Sequence, residues 1–194
     1  MNTQQITDSY EGALSTSVNE TDGLVMHGYY HATCHDIKGK FKWDSPIKQN
    51  LITTAGLKLN NDTILGNAAA GAVVLGLKGT GTAAAADTQA SHAGWLEVGL
   101  AYAPTYDIAA SVVRGSPSFS ASTNASPSVK ATSAAVVFTI LTGGTVAGAF
   151  INLGGTTTID NPTGILFSVG DFTAGSKLVT TGDTLSVSYI LNAQ

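Results

Sequence analysis

The chain has 194 residues, with nine Lys and Arg against thirteen Asp and Glu, and a formal net charge of −4. Charged residues make up only 11%, under half the usual quarter, and Thr, Ser, Gly and Ala take their place. The cations are scattered singly and form no stripe that could follow a phosphate backbone. No apolar run reaches the ~20 residues of a membrane span, and the lone Cys34 excludes an internal disulfide.

Residues 1–24 carry isolated apolar residues with no sustained period, so by themselves they have too little to bury to form a core. Fully extended, such a segment reaches about 80 Å. It reads as an extended N-terminal arm that clasps a partner, with a strand folded back on its own domain as the alternative. Its start, Met1-Asn2-Thr3-Gln4-Gln5, lacks the basic beginning and apolar middle of a secretion signal. A protein made in a cytoplasm is therefore expected.

Residues 25–194 read as one β-rich domain. Aromatic and β-branched residues predict strands near Met26–His35 and Lys40–Asp44, joined by a polar turn at Asp36-Ile37-Lys38-Gly39. Pro46 is expected to end the second strand. Between Ile47 and Leu65 the apolar residues Leu51, Ile52, Ala55 and Leu59 fall nearer to a period of 3.6, which predicts one short helix within 47–65. A continuous apolar strand follows at Ala72–Leu77. Asp87 is placed to cap a further short helical turn ending near Gly94.

Further strands are predicted at Ala134–Leu141, Thr145–Leu153, Gly164–Val169 and Thr184–Leu191, punctuated by Gly-Gly, Asn-Pro and Gly-Asp pairs. In the last strand Leu185, Val187, Tyr189 and Leu191 alternate with Ser186 and Ser188, the period of two for a sheet with one face on a core. The expected fold is mainly β, an antiparallel sandwich, jelly-roll-like, with one short helix.

The stretch His27-Gly28-Tyr29-Tyr30-His31-Ala32-Thr33-Cys34-His35 is the one that invites a metal. On a helix these side chains would sit about 6 Å apart. On a strand, which Tyr29, Tyr30 and Thr33 favour, consecutive histidines are about 13 Å apart, too far for ligands that sit about 2 Å from one ion. Gly76-Leu77-Lys78-Gly79-Thr80-Gly81-Thr82 lacks the order of a phosphate-binding loop and reads as a surface turn. Glu97, Asp160, Asp171 and Asp183 are expected at turns or strand ends. No nucleophile elbow or calcium loop occurs. The chain is read as no enzyme, with no catalytic residue, no cofactor and no metal.

The strings Val74-Leu75-Gly76-Leu77, Ala86-Asp87-Thr88 and Ser91-His92-Ala93-Gly94-Trp95 stand in chain order. They are followed by Gly164-Ile165-Leu166-Phe167-Ser168-Val169-Gly170-Asp171-Phe172 and Gly182-Asp183-Thr184-Leu185-Ser186-Val187-Ser188-Tyr189. Together with Phe41-Lys42-Trp43 and Asn50-Leu51-Ile52-Thr53, this pattern resembles small structural proteins of tailed bacteriophages over most of residues 25–191. The resemblance implies a virion component whose shared residues are structural, with Trp95 as a core anchor.

The leading expectation is a capsid cement or decoration protein. It would contact the major capsid protein or other virion proteins, form homo-oligomers, and touch neither nucleic acid nor membrane. A neck, tail or fibre protein is the alternative. A carbohydrate-binding module, using Trp43, Tyr102 and Tyr106 as platforms, is more distant. Low charge fits the first reading, since a sparsely charged surface is one that partners cover; a self-contained sandwich with a hydroxyl-rich exterior fits it too.

Overall fold

The computed structural model describes residues 25–194, and the expected arm over 1–24 lies outside them. The fold is an antiparallel β-sandwich. One sheet runs β2 (Phe41–Gln49), β1 (Met26–His35), β13 (Thr184–Ala193), β8 (Val136–Ile140) and β6 (Tyr106–Asp107), with β7 (Ser128–Ala131) also pairing β13. The other runs β3 (Leu51–Ile52), β11 (Ile165–Asp171), β10 (Gly148–Leu153), β4 (Val73–Gly81) and β5 (Trp95–Val98). A small ribbon pairs β9 (Gly144–Val146) with β12 (Lys177–Val179), and the helix α1 covers Thr54–Ile64.

Alternation explains the first sheet. Tyr30, Ala32 and Cys34 of β1 pair with Tyr189, Val187 and Leu185 of β13, and Phe138 and Val136 of β8 complete the rows. All face Leu75, Leu77, Ala149 and Ile151 of the second sheet across one core. The odd residues of β1 and even residues of β13 face outward and are half-buried.

The second sheet is buried on both faces, as the unbroken burial of β4 and β10 records. Its outer face holds a smaller core of Trp95, Phe150, Leu166 and Val169. Trp95 stacks on His92 with ring centroids 4.1 Å apart and tilts against Phe150 at 5.4 Å. Gly76 makes room for this arrangement: a Cβ there would lie 2.2 Å from the Phe150 ring.

Several elements differ from the sequence reading. β2 continues through Pro46 to Gln49, because its pairing with β1 slips between Ala32↔Ser45 and Tyr30↔Lys48. That bulge takes up Pro46, and β2 is an edge strand, where a missing N–H is tolerated. The helix begins at Thr54, since Leu51 and Ile52 pair with Val169 and Ser168 of β11 instead. Thr53 caps it by accepting the Gly56 N–H at 3.0 Å.

Gly56, a poor helix former, sits where a Cβ would lie 2.4 Å from the Phe167 carbonyl oxygen, so close packing on β11 accounts for it. Asp87 caps no helix; its carboxylate accepts from the Ala84 N–H and the Trp95 indole, at 2.8 and 3.0 Å, and pins the loop over the outer core. Thr145–Leu153 divides into β9 and β10 at Ala147.

Candidate functional site

Part of the polar chemistry of the described residues is turned inward. Arg114 is the only arginine of the chain and is buried. Its Nε and Nη2 donate to the two carboxylate oxygens of Glu97 at 2.7 and 2.6 Å. It also donates to the carbonyls of Thr156 and Asn161, while Glu97 accepts the Asp160 N–H. One ion pair thus ties β5 to two irregular segments. Burial pushes the Glu97 carboxyl above its usual range, outweighing the pull of the Arg114 guanidinium.

Sequence reasoning put Glu97 at a turn or strand end; it lies within β5 and is buried. The signal that was available was the solitary arginine in a chain so poor in charge.

Lys78 is likewise no surface residue. The run Gly76–Gly81 belongs to β4, and the Lys78 ammonium donates to the carbonyls of Gly79 and Gly81 and to Asp171 at 3.2, 2.6 and 2.7 Å. The register Lys78↔Gly148↔Asp171 leaves the intervening position without a side chain, which lets the lysine reach across β10. Asp183 orders its own turn through the N–H and hydroxyl of Thr180 and receives Lys42. Burial alone would raise its carboxyl, but Lys42 and Thr180 together hold it below the usual range.

His27, His31 and His35 share the outward face of β1, with His27 bonded to Gln49 and His31 to Asp44. Cys34 faces the core beside Asp183. Among the described residues, no three His, Cys, Asp or Glu side chains stand close enough to hold a metal ion. The aromatic platforms are dispersed. Tyr106 is fully buried against Phe138, and Trp43 packs near Phe172 with its indole bonded to the Leu178 carbonyl. Tyr102 alone of the three is exposed.

Among the described residues large apolar side chains are exposed at both ends of the sandwich, besides those exposed along its strands, such as Ile47, Leu96 and Val137. At one end, Ile37 of the β1–β2 turn lies beside Gly182 and is 76% exposed. Gly182 bonds Ile140, and the next residue, Leu141, bonds Thr105, so the exposed Leu141 belongs to the same end. Leu178 on β12, 66% exposed, adjoins them through Trp43.

At the other end, about 30 Å away along β1, α1 raises Leu57, Ile64 and Leu65 to solvent, Leu65 at 77%. Beneath α1 a groove of about 230 Å³ opens between the sheets, lined by Leu59, Val73, Phe119, Leu153, Tyr189 and Leu191, with Lys130, Asn60 and Thr63 also in its lining. No helix among the described residues is long and apolar enough to cross a membrane.

No protein-family model, curated protein or solved structure matches the chain.

Proposed function

We propose that this protein is a structural component of a bacteriophage particle, a cement or decoration protein that joins neighbouring shell subunits through buried apolar area. The observation that carries the reading is the placement of large apolar side chains, Ile37, Leu178, Ile64 and Leu65, at both ends of a sparsely charged sandwich. Isolated exposed apolar residues are ordinary, but groups of them mark surfaces that partners cover. A body with two such ends can bridge two neighbours, and an interface of about 800 Å² on each partner is the standard size for specific association.

The resemblance of residues 25–191 to small tailed-phage proteins supports the same reading. The partners are then the major capsid protein or another virion protein, together with further copies of this chain. The work is mechanical: its buried ion pairs fasten loops to the sheet and hold the ends in shape.

The test is association with particles stripped of the protein. Full-length protein carrying Ile64→Ser and Leu65→Ser, both exposed and so near neutral for the fold, should rebind at least tenfold more weakly than the unaltered protein. The same should hold for Ile37→Ser with Leu178→Ser. Undiminished rebinding by both pairs defeats the reading.

A further inference from the structure

The outermost row of the first sheet is interrupted. At one end, residues 118–120 run beside β7, with the Ser120 N–H donating to the Ala131 carbonyl and the Ser133 N–H to the Ser118 carbonyl. At the other end, Asp107 of β6 pairs with Thr139 of β8, and the Leu141 N–H donates to the Thr105 carbonyl. Between these points the chain leaves the row. Ile108 and Ser111 close a tight turn over Ala109 and Ala110, whose φ angles are 49° and 64°, and Gly115 then bonds Leu75 of the other sheet. Left-handed backbone is disfavoured for residues that carry a Cβ, so the chain turns away from the ladder against its own preference.

The gap exposes the edge of β8. The Ile140 N–H donates to the Asp183 carbonyl, so even-numbered residues of β8 bond toward β13 and odd-numbered ones turn their N–H and C=O groups the other way. Asp107 takes up Thr139. Val137 has no such neighbour: among the described residues its N–H and C=O make no hydrogen bond. A cleft of about 430 Å³ fills the gap, lined in succession by Ala134, Ala135, Val136 and Val137. Successive residues point to opposite faces, so the cleft runs along the strand edge. Its open length from Ala134 to Phe138 is roughly 15 Å, room for about four residues of extended chain.

We propose that this cleft receives a short extended segment of a neighbouring virion protein, which completes the interrupted row by pairing with Val137; this deepens the structural reading above, on which it rests. The N–H and C=O of Val137 complement one residue of extended main chain, as when a peptide adds a strand to a sheet. The charge pattern selects the segment. No charged side chain lines the cleft, whereas β2, at the opposite edge of the sheet, carries Lys42, Asp44, Pro46 and Lys48, the devices that keep an edge from pairing. The occupant is therefore uncharged. Its residue opposite Val137 points outward, and the residues on either side point inward beside Val136 and Ile108, where apolar side chains fit. The same edge of a second copy does not fit, because both edges are recessed between flanking rows.

Hydrogen exchange at the Val137 amide, resolved by mass spectrometry on full-length protein free and bound to particles, tests this. The amide should exchange quickly in the free protein and at least about tenfold more slowly in the particle. Val137→Pro removes that N–H at an edge position where proline is tolerated and should weaken rebinding to stripped particles about tenfold, while Val137→Thr rebinds like the parent. A benzoylphenylalanine at the exposed Ser116, in the cleft lining, should cross-link in the particle to an uncharged stretch of a different virion protein. Equal exchange in the two states overturns the assignment, and so does slow exchange already in the free protein. Cross-links to a second copy of this chain, or undiminished rebinding by a folded Val137→Pro protein, do the same. Such failures leave the number of copies per particle unchanged, and so are distinguishable from failure of the virion reading.

Discussion

Replacing Arg114 by Ala isolates the energetic weight of the one ion pair among the described residues whose two side chains are both interior. The substitution removes both guanidinium bonds to Glu97 and two bonds to the carbonyls of Thr156 and Asn161. It leaves a buried carboxylate with the Asp160 N–H as its remaining partner. Breaking a buried pair in this way costs about 3–5 kcal/mol, a large part of the roughly 5–15 kcal/mol that holds a domain together. For a domain of this size each kcal/mol lowers Tm by about 2–4 °C, so calorimetry at pH 7 should show a fall of about 6–20 °C.

The loss should depend on pH in a defined direction. The Glu97 carboxyl is raised above its ordinary 4.5, first by burial and against the pull of Arg114. A raised carboxyl favours the folded state at acid pH, and that benefit is lost as pH climbs through the folded value. Without Arg114 the rise is larger, so the penalty should be full at pH 7 and smaller at pH 4. Changing Glu97→Met together with Arg114→Met removes the stranded charge and should recover at least half of the loss. A Tm within 2 °C of the parent for Arg114→Ala, or an equal loss at pH 4 and pH 7, would refute the reasoning.

Lys78→Met keeps the buried stem but drops three ammonium bonds, while Asp171 stays 44% exposed and is not stranded. Urea denaturation should therefore report only about 1–3 kcal/mol, less than for Arg114→Ala. Gly76→Ala places a methyl against the Phe150 ring, which Trp95 and Arg114 crowd in turn. Overpacking of this kind costs about 1–3 kcal/mol, and a stability equal to the parent would show that the ring can move aside. Burial, followed by the charge of Asp183, pushes the Cys34 thiol up to about 11. A thiol reagent at pH 8 should leave the folded protein untouched and titrate one thiol after unfolding; rapid reaction of the native protein would contradict the buried placement.

The first sheet was legible because its strands obey a local rule. Tyr30, Ala32 and Cys34 against Leu185, Val187 and Tyr189 are alternations that need only one sheet and one core. The errors arose where a distant segment decides the outcome. Leu51 and Ile52 fit a helical spacing until β11 arrives to pair with them, and Pro46 reads as a breaker until an edge position and a bulge absorb it.

Lys78 and Glu97 look like surface charges because nothing near them in sequence reveals that irregular segments cover the outer face of the second sheet. Their partners lie 93 and 17 residues away. The apolar ends were legible only as composition. Scarcity of charge announced an uncharged surface, but which side chains gather at which end is set by turns that meet only in the folded chain.

Quantitative peptide mass spectrometry of purified phage particles is the most direct measurement of the central claim. A protein that covers its apolar ends by bridging shell subunits should be present at tens to hundreds of copies per particle. A handful of copies would move it to the neck, tail or fibre, and absence from the particle would contradict the account.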